Sequence, residues 1–66
     1  MAAMSWEMFF QMMVVEEKAA RDKYALAMDM TDSPELKKVF ERMRDEEAFH
    51  AEVLEGEYAK LKKAGV

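Results

Sequence analysis

The sequence predicts an all-α protein, an antiparallel helical hairpin that pairs with a second copy to form a four-helix bundle. Apolar residues recur at helical spacing on both sides of residues 31–34, the one cluster of turn-forming residues, and no run alternates with the period of a strand. The chain has 66 residues and no cysteine. A single domain of that size needs a disulfide, a metal or a partner subunit for stability, and the disulfide is excluded.

The first helix is predicted over about residues 6–29. Ser5 is a suitable N-cap, because its hydroxyl can accept a hydrogen bond from a free backbone N–H of the first turn. A turn over residues 30–33 follows, and the 66 residues form one domain.

The second helix is predicted over about residues 34–63. Ser33 is its N-cap, and Pro34 takes the first helical position, where its missing N–H costs nothing. Three lysines in the last turn and Gly65 after it favour a helix end. Gly56 costs about 1 kcal/mol relative to alanine inside a helix, so a kink there or a break into a short third helix is the alternative to one continuous helix.

Charge and hydropathy exclude two classes of partner. The formal net charge is −4 and no basic patch occurs, which argues against nucleic acid. The longest apolar stretch, residues 8–15, is too short to span a membrane, and no basic residue precedes it as in a secretory signal. We therefore expect a cytoplasmic protein that binds neither nucleic acid nor membrane.

Three ionisable residues lie on the apolar faces of the two helices. At about 100° per residue, Glu17 and Glu47 fall in the middle of the apolar stripes, and His50 lies within about 60° of Glu47. The stripes contain Trp6, Phe10, Met13, Ala20, Tyr24 and Met28 around Glu17, and Leu36, Phe40, Met43, Leu54, Tyr58 and Leu61 around Glu47. An unpaired buried charge costs several kcal/mol, so these side chains need a shared partner.

A cation can be that partner. The Glu-x-x-His spacing of Glu47 and His50 puts both side chains on adjacent turns, and the hairpin brings Glu17 opposite them. A two-fold dimer would offer four carboxylates and two imidazoles, the ligand set of a di-iron four-helix bundle. The alternatives are a surface ion pair of Glu17 with Arg21, an ordinary charged surface at Glu47, and an interior histidine at His50.

Residues 16–24 (EEKAARDKY) and 45–50 (DEEAFH) resemble the two metal-binding helices of the ferritin-like superfamily, in particular rubrerythrins and the short encapsulated ferritins. The turn over residues 31–36 is similar to that of the encapsulated ferritins. The resemblance implies that Glu17, Glu47 and His50 are catalytic iron ligands, with two irons per dimer shared between subunits. It also implies oxidation of Fe(II) by dioxygen or peroxide. Mn or Zn are alternative metals, and Tyr24 and Glu16 are candidate neighbours of the ligands.

The same resemblance implies two kinds of partner besides the homodimer. One is an encapsulin shell, and the other is an electron-donor protein for a rubrerythrin-like peroxide reductase. The apolar start of the first helix predicts a second interface on Phe9, Met12 and Val15, and thus a larger homo-oligomer. A non-catalytic metal-binding oligomerisation module and a metal-free bundle are the competing interpretations.

Overall fold

The structure, a computed structural model, describes residues 4–65. It contains two helices, α1 over Trp6–Met30 and α2 over Pro34–Lys63. No strand occurs within residues 4–65. The predicted all-α hairpin is confirmed, and each helix end lies within one residue of its predicted position.

Serine side chains begin both helices, as the sequence indicates. The Ser5 hydroxyl accepts a hydrogen bond from the Met8 amide at 3.1 Å, and the Ser33 hydroxyl accepts one from the Leu36 amide at 3.2 Å. In the turn, the Ser33 amide donates to Thr31 Oγ1 at 3.1 Å. These bonds satisfy backbone donors that have no partner inside the helix, so the reversal of the chain is fixed locally.

The glycines behave differently from one another. α2 continues without a break through Gly56, so the alternative of a short third helix is wrong. Its packing against α1 supports the helix on both sides of this position, and the local cost of one glycine is too small to end it. Gly65 has a φ of 79°, the left-handed conformation that the sequence indicates for the residue after a helix.

Two aromatic pairs show how the helices run. Phe10, near the start of α1, stacks on Tyr58, near the end of α2, with ring centroids 5.8 Å apart. Tyr24 stacks on Phe40 at 6.3 Å, close to the turn. The helices are therefore antiparallel, and the stacked rings form much of the contact between them.

A single hairpin leaves much of its apolar surface uncovered. The molecule measures 48 × 26 × 11 Å along its principal axes, so it is one helix thick. Only Phe10 and Ala51 are buried among the described hydrophobic residues. Trp6 and Leu36, predicted to face inward, are exposed. Each helix has a single neighbour, which covers only part of an apolar stripe.

The accessible surface is also large for the mass. It amounts to 5312 Å² for a 7.7 kDa chain, whereas a compact monomer of that mass exposes about 4,300 Å². The excess of about 1,000 Å² over a compact monomer is comparable to the surface that one partner loses in a standard protein interface.

Between residues 4 and 65, no helix combines the length and the hydrophobicity that crossing a membrane requires.

Candidate metal centre

The position of the turn brings Glu17 level with Glu47. Glu17 lies fourteen residues before Thr31, and Glu47 lies fourteen residues after Ser33. Because the two helices are antiparallel and rise equally per residue, positions equidistant from the turn face each other. His50 follows Glu47 by almost one turn and projects from the same side of α2.

The structure brings these three side chains together. His50 Nδ1 lies 3.6 Å from Glu17 Oε2 and 3.8 Å from Glu47 Oε1. One ligand atom from each residue lies within 4.8 Å of the other two. Atoms that bind one ion at about 2.1 Å lie about 3–4 Å apart, so this spacing suits a common cation better than direct hydrogen bonds.

Solvent reaches the three side chains to different extents. The side chains of Glu17 and Glu47 are 20% and 21% exposed, whereas that of His50 is 51% exposed. The carboxylates therefore lie between the helices, and the imidazole lies at the edge of the hairpin. A ligand held by all three would still be open to solvent on the His50 side.

The proximity of the two carboxylates raises the pKa of Glu47. The hydrogen bond with Glu17 contributes most, followed by burial and by repulsion from the Glu17 charge. The charge of His50 acts in the opposite direction, and that of Glu46 adds a small increase. Two carboxyl groups in such contact require either a shared proton or a cation between them.

The surface ion pair considered for Glu17 does not form within residues 4–65. Arg21 contacts Asp22 instead, with Nη2 3.0 Å from Oδ1. Lys18 extends to α2 and lies 3.0 Å from Glu55. Glu17 therefore faces His50 and Glu47, with no arginine or lysine of the described chain to neutralise it.

An apolar hollow of about 280 Å³ adjoins the three residues. Besides Glu17 and His50, its lining is apolar and comes from Met13, Phe49, Val53 and Leu54. We call this side of the hairpin the site face. Phe49 and Val53 are exposed. The sequence did not indicate them as part of the site, although a helical wheel of α2 places both on the same side of Glu47 as His50.

The two candidate neighbours of the ligands lie apart from the cluster. Tyr24 is half-buried, and its ring stacks on Phe40. Glu16 is exposed and lines a different hollow, together with Met8 and Met12. Within residues 4–65, no other group of three acidic or histidine side chains comes close enough to share an ion.

Comparisons with protein-family models, with curated proteins and with solved structures found no match to this chain.

Proposed function

We propose that two copies of this chain join through their site faces and form a ferritin-like di-iron centre that oxidises Fe(II). The observation that carries the proposal is the convergence of Glu17, Glu47 and His50 within 4.8 Å on the apolar side of two packed helices. Acidic side chains at such positions are costly unless a cation neutralises them.

The donor set fits iron. Carboxylate oxygens and imidazole nitrogens suit Fe(II), as well as Mn(II) and Zn(II), whereas thioether and thiolate ligands favour softer metals. One chain offers two carboxylates and one imidazole, which is half of the set that a di-iron bundle uses. A two-fold dimer supplies the other half, and its four carboxylates balance the charge of two divalent ions.

The proposed dimer also accounts for the exposed site face. Phe49 and Val53 border the cluster and remain open in a single hairpin. A second copy packed on this face would cover the hollow and lower the access of water to His50. Burial would then strengthen the interactions between the carboxylates and any cation that they hold.

The chemistry follows from the substrate. Oxidation of two Fe(II) ions to Fe(III) releases two electrons, which reduce dioxygen to hydrogen peroxide or hydrogen peroxide to water. Glu17 and Glu47 would bind the ferrous ions and offset the added positive charge of the ferric state. By the resemblance to the ferritin-like helices, Glu47 would be the carboxylate shared by the two metals.

Aerobic oxidation of anaerobically loaded Fe(II) tests the proposal. The wild-type protein should bind two Fe(II) per dimer and consume oxygen when air is admitted, while ferric absorbance rises. Glu47→Ala should lose most of this activity, because it removes the expected bridging carboxylate. Glu46→Ala is the matched control, since Glu46 is exposed beside it.

Two results would contradict the proposal. Full iron oxidation by Glu47→Ala would show that the reaction takes place elsewhere. Binding of two ions per dimer without oxygen or peroxide consumption would instead indicate a non-catalytic metal-binding oligomerisation module. Activity with peroxide only when a reductase is supplied would favour the rubrerythrin-like reaction.

A further inference from the structure

The side of α1 opposite Glu17 carries a second apolar surface. At about 100° per residue, seven positions lie within about 40° of the direction opposite Glu17, and all of them except Asp22 are apolar. We call the six apolar positions the outer stripe: Met8, Met12, Val15, Ala19, Leu26 and Met30. All six are exposed in the hairpin, and Val15 and Met30 are 66% and 75% exposed.

The residues of the outer stripe are spaced like those at the contact between two paired helices. Its first four members are separated by four, three and four residues, which is the alternation of core positions in a coiled coil. Asp22 occupies the next position of this alternation, near the edge of the stripe, where Arg21 contacts its carboxylate. Leu26 then resumes the apolar series. A helix side that faces only solvent is expected to carry polar residues instead of such an apolar pattern.

We infer that the outer stripe of α1 pairs antiparallel with the same stripe of a second copy, about a two-fold axis at Ala19. This axis places Met8 level with the partner's Met30 and Met12 level with the partner's Leu26. Ala19 then meets Ala19 of the partner subunit, where its small side chain permits the two helices to approach closely. In a parallel pair, Asp22 would lie level with Asp22 of the partner subunit.

Charges beside the stripe favour the same register. Glu16 and Lys23 lie on one flank of it, and neither forms an ion pair within the described chain. In an antiparallel two-fold pair, each flank meets the same flank of the other helix. With the axis at Ala19, Glu16 falls within about one residue of the level of the partner's Lys23. Two such contacts form, one on each side of the axis.

The surface area supports a second contact of this kind. The hairpin is one helix thick, and the outer stripe lies on the side of α1 away from α2, whereas the site face spans both helices. A copy packed on one surface therefore leaves the other open. If both contacts form, the assembly contains at least four chains. The outer contact needs no metal, so it can be tested independently of the proposed iron centre.

Cysteine cross-linking tests the axis directly, because the chain has no cysteine of its own. Under mild oxidation, Ala19→Cys should form a disulfide-linked dimer in high yield at low protein concentration. Ala59→Cys, at an exposed alanine of α2, is the matched control and should remain largely monomeric on a denaturing gel. Equal cross-linking of both variants, or none at position 19, would overturn the inference.

Sedimentation of full-length variants gives an independent readout. Ala19→Arg places two like charges on the axis and should halve the mass of the assembly, whereas Ala59→Arg should not change it. Glu16→Lys should weaken the assembly, and Glu16→Lys combined with Lys23→Glu should restore it. An unchanged mass for Ala19→Arg would overturn the inference, whether or not the protein binds iron.

The metal content of Ala19→Arg separates this inference from the proposed function. A half-mass variant that still binds two ions per dimer supports both. A half-mass variant without bound metal supports the outer contact and contradicts the iron centre.

Discussion

At the scale of single residues, we expect Glu47 to affect stability differently with and without a bound metal. Its pKa is raised, mainly by its contact with Glu17, so the folded state binds this proton more tightly than the unfolded state. Metal-free protein should therefore gain stability as the pH falls through the raised pKa, with the full gain present below the ordinary value of 4.5, and lose it again as the pH rises through the raised pKa.

The substitution Glu47→Gln tests this effect. Without metal at neutral pH, the variant should melt a few degrees higher than the wild type, because an amide does not repel Glu17. It should also lose part of the pH dependence. With Fe(II) under anaerobic conditions the order should reverse, since a charged ligand is missing. Thermal melts followed by circular dichroism measure both, with Glu46→Gln as control; a lower melting temperature of Glu47→Gln in the absence of metal would contradict this account.

The candidate ligands could be predicted from the sequence because their signal is local. A carboxylate in the middle of an apolar stripe is visible on a helical wheel, and the distance of Glu17 and Glu47 from the turn fixes their meeting. A helical wheel does not show what fraction of an apolar stripe is buried by a single neighbouring helix. For this reason, the exposure of Trp6 and the position of Phe49 beside His50 emerged only from the structure.

At the scale of the helices, Gly56 offers a gain in stability. A Cβ added at this position would meet nothing within 4 Å, and the residue lies inside α2. Gly56→Ala should therefore raise the free energy of unfolding by about 1 kcal/mol, as measured by urea denaturation. Gly65→Ala is the control and should give no gain, because its φ of 79° disfavours a side chain. Destabilisation by Gly56→Ala would indicate a contact of α2 at this point in the assembly.

The N-cap of α2 can be tested in the same way. Ser33→Ala removes the acceptor of the Leu36 amide and should cost about 1 kcal/mol, whereas Ser33→Asp should retain most of the stability. Equal stability of the three proteins in urea would show that the cap is unimportant here.

Local signals such as this N-cap explain why the sequence predicts both helix ends well. The continuity of α2 through Gly56 depends on packing against α1, which the sequence does not reveal.

At the scale of the whole molecule, the hairpin has two uncovered apolar surfaces and two carboxylates, Glu17 and Glu47, that no arginine or lysine of residues 4–65 neutralises. Its buried core consists of little more than Phe10 and Ala51, so one chain alone is poorly stabilised. We therefore expect association to contribute much of the folding free energy, in which case the melting temperature should rise with protein concentration. A melting temperature that stays constant over a hundredfold dilution would show that the single hairpin is stable by itself.

Removal of bound metal distinguishes the contribution of a metal ion to stability from that of the apolar contacts between chains. An ion bound by Glu17, Glu47 and His50 links α1 to α2 within a chain and, in the proposed dimer, one chain to the other. Chelation of the purified protein should therefore lower both the melting temperature and the mass in solution, and anaerobic Fe(II) should restore them. The double variant Glu17→Ala and Glu47→Ala is the control and should not respond to the chelator. If the wild type contains metal yet keeps its melting temperature and mass after the metal is removed, the carboxylates are held by protons and packing, as in a metal-free bundle.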